Sequence, residues 1–175
     1  SGKRLWPLSN DSYSKQFLRL LPSPDGGRES MVQRVVRQIK ESGIKADITI
    51  ATGENQRDAI TSQLGGEINV VTEPERRDTF PAIALACLYL EMEKKCDPDE
   101  VVVVMPCDPY TDAEYFTAIG KMARAVEKGS AELVLMGICP DYPSVKYGYI
   151  IPEQSEGEIL RVRSFTEKPD IERAK

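Results

Sequence analysis

The stretch EVVVVMPCDPYTD (Glu100–Asp112) decides the fold predicted for this chain of 175 residues. It opens with a continuous β-branched run, which predicts a central parallel strand over Glu100–Pro106, buried on both faces. Asp112 is placed to cap a helix that extends to about Lys128. A buried strand followed by a helix is typical of an α/β fold with a mainly parallel sheet.

The segments on either side of this stretch alternate between helix and strand signals. Ser30 is a suitable N-cap for a helix over 31–41, whose valines recur at helical spacing. A strongly apolar helix over 78–95 contains Cys87, which we interpret, like Cys139, as a small core residue. The other predicted elements are a helix over 55–64, strands over 16–21, 47–52, 68–73 and 132–138, an antiparallel pair over 147–151 and 159–165, and a helix that begins at 171.

Length and composition predict one domain over residues 1–175. The chain begins inside a loop and stops as a helix begins, so we expect an incomplete domain that lacks its first strand and its C-terminal part. The net charge of −5 argues against a broad nucleic-acid surface, which needs a basic face, but leaves room for a local basic pocket.

The residue types that are missing exclude several function classes. The chain has no histidine, which excludes Ser-His-Asp and Cys-His nucleophilic machinery within this segment. Its four cysteines form no C-x-x-C pair, which argues against zinc and favours a reduced, cytoplasmic location. No apolar run approaches the roughly 20 residues that span a bilayer, and no signal peptide opens the chain, so we expect no membrane partner.

The first residues, SGKRLWPLS (1–9), suit the binding of an anion. Gly2 accepts backbone angles closed to other residues, so that consecutive N–H groups can point at an anion. Arg4 offers a planar fork of donors for phosphate, and Lys15, a little downstream, offers a compact positive charge. The arrangement suits a nucleotide triphosphate, although short basic stretches with glycine are also common in ordinary surface loops.

Asp108 follows the predicted central strand, and ligands of open α/β sheets bind outside the carboxyl ends of the strands. An aspartate there can hold Mg²⁺, which commonly takes one or two carboxylates together with substrate phosphates. The alternative is a turn aspartate before Pro109 or a helix cap.

Two further charged segments follow predicted strands. The segment 73–85 opens a helix, where Arg76 and Arg77 either serve phosphate or form a solvated pair. In FTEKPD, Glu167 and Lys168 form either an exposed ion pair of little energetic value or a site at which the lysine holds a sugar phosphate and the glutamate accepts hydroxyl hydrogen bonds.

Segments in this order resemble the sugar-phosphate nucleotidyltransferases, and specifically the bacterial mannose-1-phosphate guanylyltransferases. SGKRLWPLS resembles the second part of G-G-x-G-x-R-L-W-P-L-S, and SYSKQFLRL resembles S-x-P-K-Q-F-L-x-L. EPERRDTFPAIALA is similar to E-P-x-x-R-N-T-A-P-A-I-A-L-A, and VVVMPCD to the strand that ends in P-S-D-H. KYGYI and FTEKPD resemble G-Y-G-Y-I and F-x-E-K-P-D. The resemblance covers the whole chain and implies a Rossmann-like, mainly parallel sheet flanked by helices.

The resemblance also implies a reaction and a role for each matching residue. The family joins GTP and α-D-mannose 1-phosphate to GDP-mannose and diphosphate, with Mg²⁺ as cofactor and with homo-oligomers possible. The roles it implies are catalysis and phosphate contact for Arg4 and Lys15, nucleotide binding for Gly2, Glu73, Arg77, Asp78 and Thr79, sugar-phosphate binding for Gly148, Tyr149, Glu167 and Lys168, and metal coordination for Asp108.

Several positions depart from the family pattern. Ser14 stands where a proline is usual, Asp78 replaces an asparagine, and Pro109 replaces a histidine. Two rival functions stay open at this stage. One is the same chemistry with UTP or dTTP and glucose 1-phosphate, and the other is a nucleotide-binding module without turnover. A dinucleotide-dependent dehydrogenase is disfavoured, because no G-x-G-x-x-G follows a strand.

Overall fold

The computed structural model describes residues 14–154 and 157–174. The chain divides into two compact units, Ser1–Val134 and Leu135–Lys175. The prediction of one domain over residues 1–175 stays a prediction. No helix in the described ranges combines the length and the apolar character needed to cross a membrane.

The described elements confirm the mixed α/β class. The helices are α1 (Met31–Glu41), α2 (Arg57–Leu64), α3 (Thr79–Met92), α4 (Ala113–Glu127) and α5 (Ile171–Ala174). The strands are β1 (Leu21–Pro22), β2 (Arg28–Glu29), β3 (Thr49–Gly53), β4 (Asn69–Glu73), β5 (Tyr149–Pro152) and β6 (Val162–Thr166).

Strands β3 and β4 form the parallel pair of the first unit. They run in register from Thr49 opposite Asn69 to Gly53 opposite Glu73, with α2 as the crossover between them. The side-by-side arrangement of Gly53 and Glu73 creates the carboxyl edge at which ligands of α/β folds bind. The second unit contains the predicted antiparallel pair, in which Tyr149 lies opposite Thr166.

Helix α1 has the boundaries and the buried face that the sequence predicts. The Ser30 hydroxyl accepts a hydrogen bond from the Gln33 backbone N–H, and the Gln33 side chain accepts one from the Ser30 N–H, which completes a capping box. Val32, Val35 and Val36 are buried. Val32 packs with Phe17 and Ile60 into the centre of the core.

The predicted cap of α4 is also confirmed. The Asp112 carboxylate accepts hydrogen bonds from the backbone N–H groups of Glu114 and Tyr115. These two bonds satisfy donors that the first turn of a helix otherwise leaves without a partner.

The predicted central strand over Glu100–Pro106 is wrong, and so is the strand over 132–138. Residues 101–106 and 133–140 lie outside the helices and strands that the structure describes. Val102, Val103 and Val104 are exposed, because the described strands β3 and β4 pair with each other and not with this segment. A β-branched run forms a buried strand only where a neighbouring strand supplies the hydrogen-bonding partners.

The core positions predicted for Cys87 and Cys139 are likewise wrong, because both cysteines are exposed. Helix α3 forms nearly where the sequence predicts it, but none of its residues is buried, and Leu88 and Met92 are more than half exposed. A helix this apolar is expected to be covered by other elements on most sides, and in the described part of the chain α3 is not.

The strand predicted over 16–21 is replaced by a single 3₁₀ turn over Lys15–Phe17 and by the short strand β1. The turn is favoured because it buries the Phe17 ring, which is 1% exposed. The Phe17 N–H donates to the Ser14 carbonyl at 3.0 Å, and the Phe17 carbonyl accepts from the Gln63 side chain at 2.8 Å. These bonds satisfy the polar backbone groups without a strand partner.

Substitution of Ser30 by alanine tests the importance of the buried cap of α1. Ser30 is fully buried, and its hydroxyl also donates to Gln63 Oε1 at 2.6 Å. We expect Ser30→Ala to lower the free energy of unfolding by about 1–2 kcal/mol, because it removes a cap and a buried hydrogen bond. Urea titration followed by circular dichroism measures the change. The exposed Ser62→Ala in α2 is the control and is expected to stay within about 0.5 kcal/mol; equal effects of the two substitutions would contradict the role of the cap.

Candidate functional site

A cavity of about 180 Å³ lies at the carboxyl edge of the parallel pair. Its walls are formed by the end of β3, by Glu73 at the end of β4, and by Arg76 in the loop that follows. Gln16 and Cys107 complete the wall from two segments that are distant in sequence. The cavity therefore lies where the topology of a parallel α/β sheet places a ligand.

The 3₁₀ turn that carries Lys15 is held by buried polar side chains. Ser14, Thr52 and Gln56 are each less than a tenth exposed. Gln56 Nε2 donates to Ser14 Oγ at 3.1 Å, and Gln56 Oε1 accepts from Thr52 Oγ1 at 2.9 Å. Because both ends of the Gln56 amide are satisfied, the start of the turn is fixed to the end of β3.

Gln56 was not identified from the sequence. The available signal was Ser14, which stands at the position where the resembling family usually has a proline. A proline carries no hydroxyl that could accept a hydrogen bond from the Gln56 amide, so this bond depends on the serine at position 14. The sequence gives no indication of where that partner lies, because Ser14 and Gln56 meet only through the tertiary fold.

Lys15 and Asp108, which the sequence assigns to phosphate and to metal, form an ion pair with each other. The Lys15 side chain is exposed, whereas the Asp108 carboxylate is 28% exposed. The pair brings a cation and a hard oxygen donor to one place, beside the cavity that their neighbours Gln16 and Cys107 line. Opposite charges at this spacing suit a ligand that itself carries both signs, such as a phosphate with a divalent cation.

The donor set around Asp108 suits one mode of Mg²⁺ binding and not another. Among residues 14–154 and 157–174, no group of three or more His, Cys, Asp or Glu side chains is suited to hold a metal ion. At the ion pair, Asp108 supplies a carboxylate, and Mg²⁺ is commonly bound by one or two carboxylates together with substrate phosphates. The site therefore fits Mg²⁺ that arrives with a phosphate ligand, and it does not fit a metal ion caged by protein alone.

Cys107 is a partly buried thiol beside this ion pair. Burial raises the pKa of the Cys107 thiol, the neighbouring Asp108 carboxylate raises it further, and Lys15 acts in the opposite direction. The thiol therefore stays protonated at neutral pH and acts as a small apolar part of the cavity wall.

A second, open groove of about 550 Å³ begins at Glu73 and follows the start of α3. Arg77 lines it and pairs with Glu75 at 3.0 Å, where both side chains are exposed. Asp78 has φ 65° and ψ −168°, a backbone conformation that side-chain-bearing residues rarely adopt, and its side chain makes no capping bond to α3. Thr79 begins the helix. Glu73 thus borders both the groove and the cavity.

The second unit brings together the residues assigned to a sugar phosphate. Lys168 Nζ pairs with Glu167 Oε1 at 2.7 Å, and this hydrogen bond raises the pKa of the Lys168 ammonium. The Lys168 N–H donates to the Tyr147 carbonyl at 3.2 Å, which holds the segment beside β5. A Cβ atom on Gly148 would lie 2.7 Å from Glu167 Oε2, so the glycine provides the space that the carboxylate occupies.

The Tyr149 hydroxyl bonds to a loop of its own unit. It accepts from the Ser144 N–H at 2.8 Å and donates to the Ser144 carbonyl at 3.1 Å. The side chain therefore fixes the loop before β5. Its assignment to a sugar phosphate stays a prediction.

The structure thus brings Lys15 together with Asp108 and Glu167 together with Lys168. It also places four residues assigned to the nucleotide along one loop and helix start, namely Glu73, Arg77, Asp78 and Thr79. Gly2 and Arg4 lie outside the described residues.

Comparisons with known proteins show what this chain is similar to. The family model described as nucleotidyl transferase matches residues 1–175. The alginate biosynthesis protein AlgA of Pseudomonas aeruginosa is 33% identical over 100% of this chain and 36% of its own length. A mannose-1-phosphate guanylyltransferase of Escherichia coli is 32% identical over 99% of this chain and 38% of its own length. The chain therefore spans little more than a third of these curated relatives.

A solved structure gives the same picture for the fold. The crystal structure named mannose-1-phosphate geranyltransferase from Thermus thermophilus superposes on this chain with a TM-score of 0.75, and the two sequences are 28% identical. The match covers 99% of this chain and 49% of that chain.

Alkylation with iodoacetamide tests the environment of Cys107. In metal-free buffer at pH about 8, near the ordinary thiol pKa, we expect Cys107 to react more slowly than the exposed Cys87 and Cys139. Its raised pKa leaves less thiolate, and it is partly buried. Its rate is expected to rise as the pH increases. Peptide mapping by mass spectrometry gives the three rates, with Cys107→Ser as the control for assignment. Modification of Cys107 ahead of the other two would contradict the environment described.

Proposed function

The chain belongs to the nucleotidyl transferase family, and on that premise we propose that the full-length protein joins GTP and α-D-mannose 1-phosphate to GDP-mannose and diphosphate. The names of the relatives support this choice of substrates, because one is a mannose-1-phosphate guanylyltransferase. Mg²⁺ as cofactor, a cytoplasmic location and assembly into a homo-oligomer remain parts of the proposal.

The observation that carries the proposal is the ion pair between Lys15 and Asp108 beside the cavity at the carboxyl edge of β3 and β4. The two residues come from segments that are distant in sequence, and different motifs assign Lys15 to phosphate and Asp108 to Mg²⁺. Their contact supports one site for both roles.

In the proposed reaction, a phosphate oxygen of the sugar phosphate attacks the α-phosphorus of GTP. The bond from that phosphorus to the bridging oxygen of the β-phosphate breaks, and diphosphate leaves with the bonding electron pair. Lys15 and Arg4 bind the triphosphate and neutralise the negative charge that grows on the leaving diphosphate. Asp108 would hold Mg²⁺, which supplies further charge neutralisation when it is bound with the nucleotide.

The role of Lys15 follows from the contact that its ammonium makes. In the structure it balances the Asp108 carboxylate. Asp108 would hold the cation that accompanies a triphosphate, and the Lys15 ammonium would then exchange the carboxylate for phosphate oxygens. The side chain is exposed and has several rotatable bonds, so this exchange needs no change in the backbone.

The second unit would bind the other substrate. Lys168 offers a cation for the sugar phosphate, and the hydrogen bond to Glu167 raises the pKa of its ammonium group further above the neutral range. The second oxygen of the Glu167 carboxylate accepts hydrogen bonds from sugar hydroxyls, while Gly148 leaves room for that carboxylate. Tyr149 begins β5 and Gly148 directly precedes it, and the two residues would form the wall beside the sugar.

Diphosphate release from different substrate pairs tests the proposed reaction. With the full-length protein and Mg²⁺, we expect release with GTP and mannose 1-phosphate in preference to UTP or dTTP with glucose 1-phosphate. Activity with dTTP alone would overturn the choice of GTP. Nucleotide binding without any Mg²⁺-dependent product would favour a binding module.

Substitutions at Lys15 and Asp108 test the two charges of the site. We expect Lys15→Met to lower kcat/KM for GTP by about a hundredfold, because it removes a cation that stabilises developing charge.

Asp108→Asn is expected to raise the Mg²⁺ concentration needed for half-maximal rate, since an amide is a weaker magnesium ligand. Arg4→Ala is expected to reduce kcat strongly while it changes the free energy of unfolding little. The exposed Lys45→Met is the matched control and is expected to leave kcat/KM unchanged; a loss at Lys45 as large as that at Lys15 would remove Lys15 from the mechanism.

Substitution of Gly148 by alanine tests the sugar-phosphate side. The added Cβ would displace the Glu167 carboxylate, whose Oε2 lies 2.7 Å from that position, and disturb the pair with Lys168. We expect KM for mannose 1-phosphate to rise several-fold while KM for GTP stays constant, as measured by initial rates. Gly137→Ala is the control, because a Cβ there meets no atom within 4 Å. A KM for mannose 1-phosphate that is unchanged in Gly148→Ala would contradict the assignment of this pair.

A further inference from the structure

The loop over 107–112, which carries Asp108, is held by helix α1. Gln38 Nε2 donates to the Thr111 carbonyl at 3.1 Å, and Arg34 Nη2 donates to the same carbonyl oxygen at 3.3 Å. Arg34 also stacks over the Tyr110 ring, with 4.6 Å from its guanidinium carbon to the ring centroid. Two side chains one helical turn apart thus hold two consecutive residues of the loop.

Further constrained residues of this loop also follow Asp108 in the chain. Pro109 restricts its own backbone through the ring, and Asp112 is bound to the first turn of α4 through its capping bonds. The preceding residues 101–106 lie outside the described strands. The position of Asp108 therefore depends on residues 109–112, on the ion pair with Lys15, and on Cys107, which packs against the core cluster that contains Phe17.

We infer that Arg34 and Gln38 are positioning residues for the metal-binding carboxylate of Asp108. They touch neither nucleotide nor sugar phosphate in the proposed function; they hold Tyr110 and Thr111, and through them they fix the backbone from which Asp108 extends. The inference rests on the proposed role of Asp108 and adds α1, which no sequence motif assigned to the site, to the machinery of nucleotide binding.

Helix α1 also supplies a matched control. Arg37 lies on the same helix and pairs with Glu29 and Glu41 at 2.7 Å each. The Glu29 carboxylate is almost fully buried, and its hydrogen bond raises the pKa of the Arg37 guanidinium. The same substitution at Arg34 and at Arg37 therefore separates loss of loop positioning from loss of helix stability.

The test is the affinity of the full-length protein for Mn²⁺ in the presence of GTP, measured by electron paramagnetic resonance with Mn²⁺ in place of Mg²⁺. We expect Arg34→Met and Gln38→Met each to weaken Mn²⁺ binding by about tenfold, as is typical when the support of a metal ligand is removed. Arg34→Lys, which keeps a cation and a donor, is expected to lie between the wild type and Arg34→Met. Arg37→Met is expected to bind Mn²⁺ as the wild type does while it unfolds at a lower temperature.

Amide hydrogen exchange at 107–112 gives a second readout without turnover. We expect faster exchange there in Arg34→Met and Gln38→Met and wild-type exchange in Arg37→Met.

Unchanged Mn²⁺ affinity in both Arg34→Met and Gln38→Met overturns the inference. An equal loss of Mn²⁺ affinity in Arg37→Met also overturns it, because such a loss would indicate general destabilisation. Failure of the wild type to release diphosphate would overturn the proposed reaction alone, since Mn²⁺ binding is measured independently. A wild type that binds no Mn²⁺ with GTP would overturn the positioning role together with the metal assignment.

Discussion

Burial of the Phe17 ring is the constraint on which the candidate site depends. The ring packs with Val32 of α1 and Ile60 of α2, and the Phe17 carbonyl is held by Gln63. Because a buried aromatic side chain contributes several kcal/mol of hydrophobic stabilisation on the scale of about 25 cal/mol per Å², it fixes the short turn to the core. Lys15 belongs to that turn, so the position of an exposed cation is determined by an apolar contact beneath it.

The same principle holds for the acidic partner. Asp108 has no ladder of backbone hydrogen bonds before it in the described structure, and its position results from contacts that its neighbours make with α1, with α4 and, through Cys107, with the hydrophobic core. The two charged groups of the site thus lie in irregular segments that side-chain amides, a guanidinium and a capping carboxylate tie to regular elements. An α/β site commonly combines loop residues that perform the chemistry with regular elements that hold them.

The sequence predicted the local features well, and the non-local ones poorly. The caps at Ser30 and Asp112 and the boundaries of α1 and α4 follow from residues within a few positions of each other, and the structure has them where they were expected. The valines over 101–104 failed as a strand signal because residue type alone does not specify whether a neighbouring strand is present.

In the candidate site, charge type and resemblance to a family motif identify Lys15 and Asp108 individually, whereas their contact is visible only in the folded structure. The side chains that hold them were missed, because a glutamine or an arginine on a helix carries no sequence mark that distinguishes a buried hydrogen bond from a solvated side chain.

The backbone of Lys168 has consequences for anyone who wishes to make this protein more heat-resistant. Its φ of 41° is one that glycine tolerates with ease and that costs other residues about 1–2 kcal/mol. A redesign guided by backbone energy alone would select glycine there and would relieve that cost in the folded chain. The change would also remove the ammonium group that pairs with Glu167, so heat resistance gained at this position comes at the expense of that ion pair.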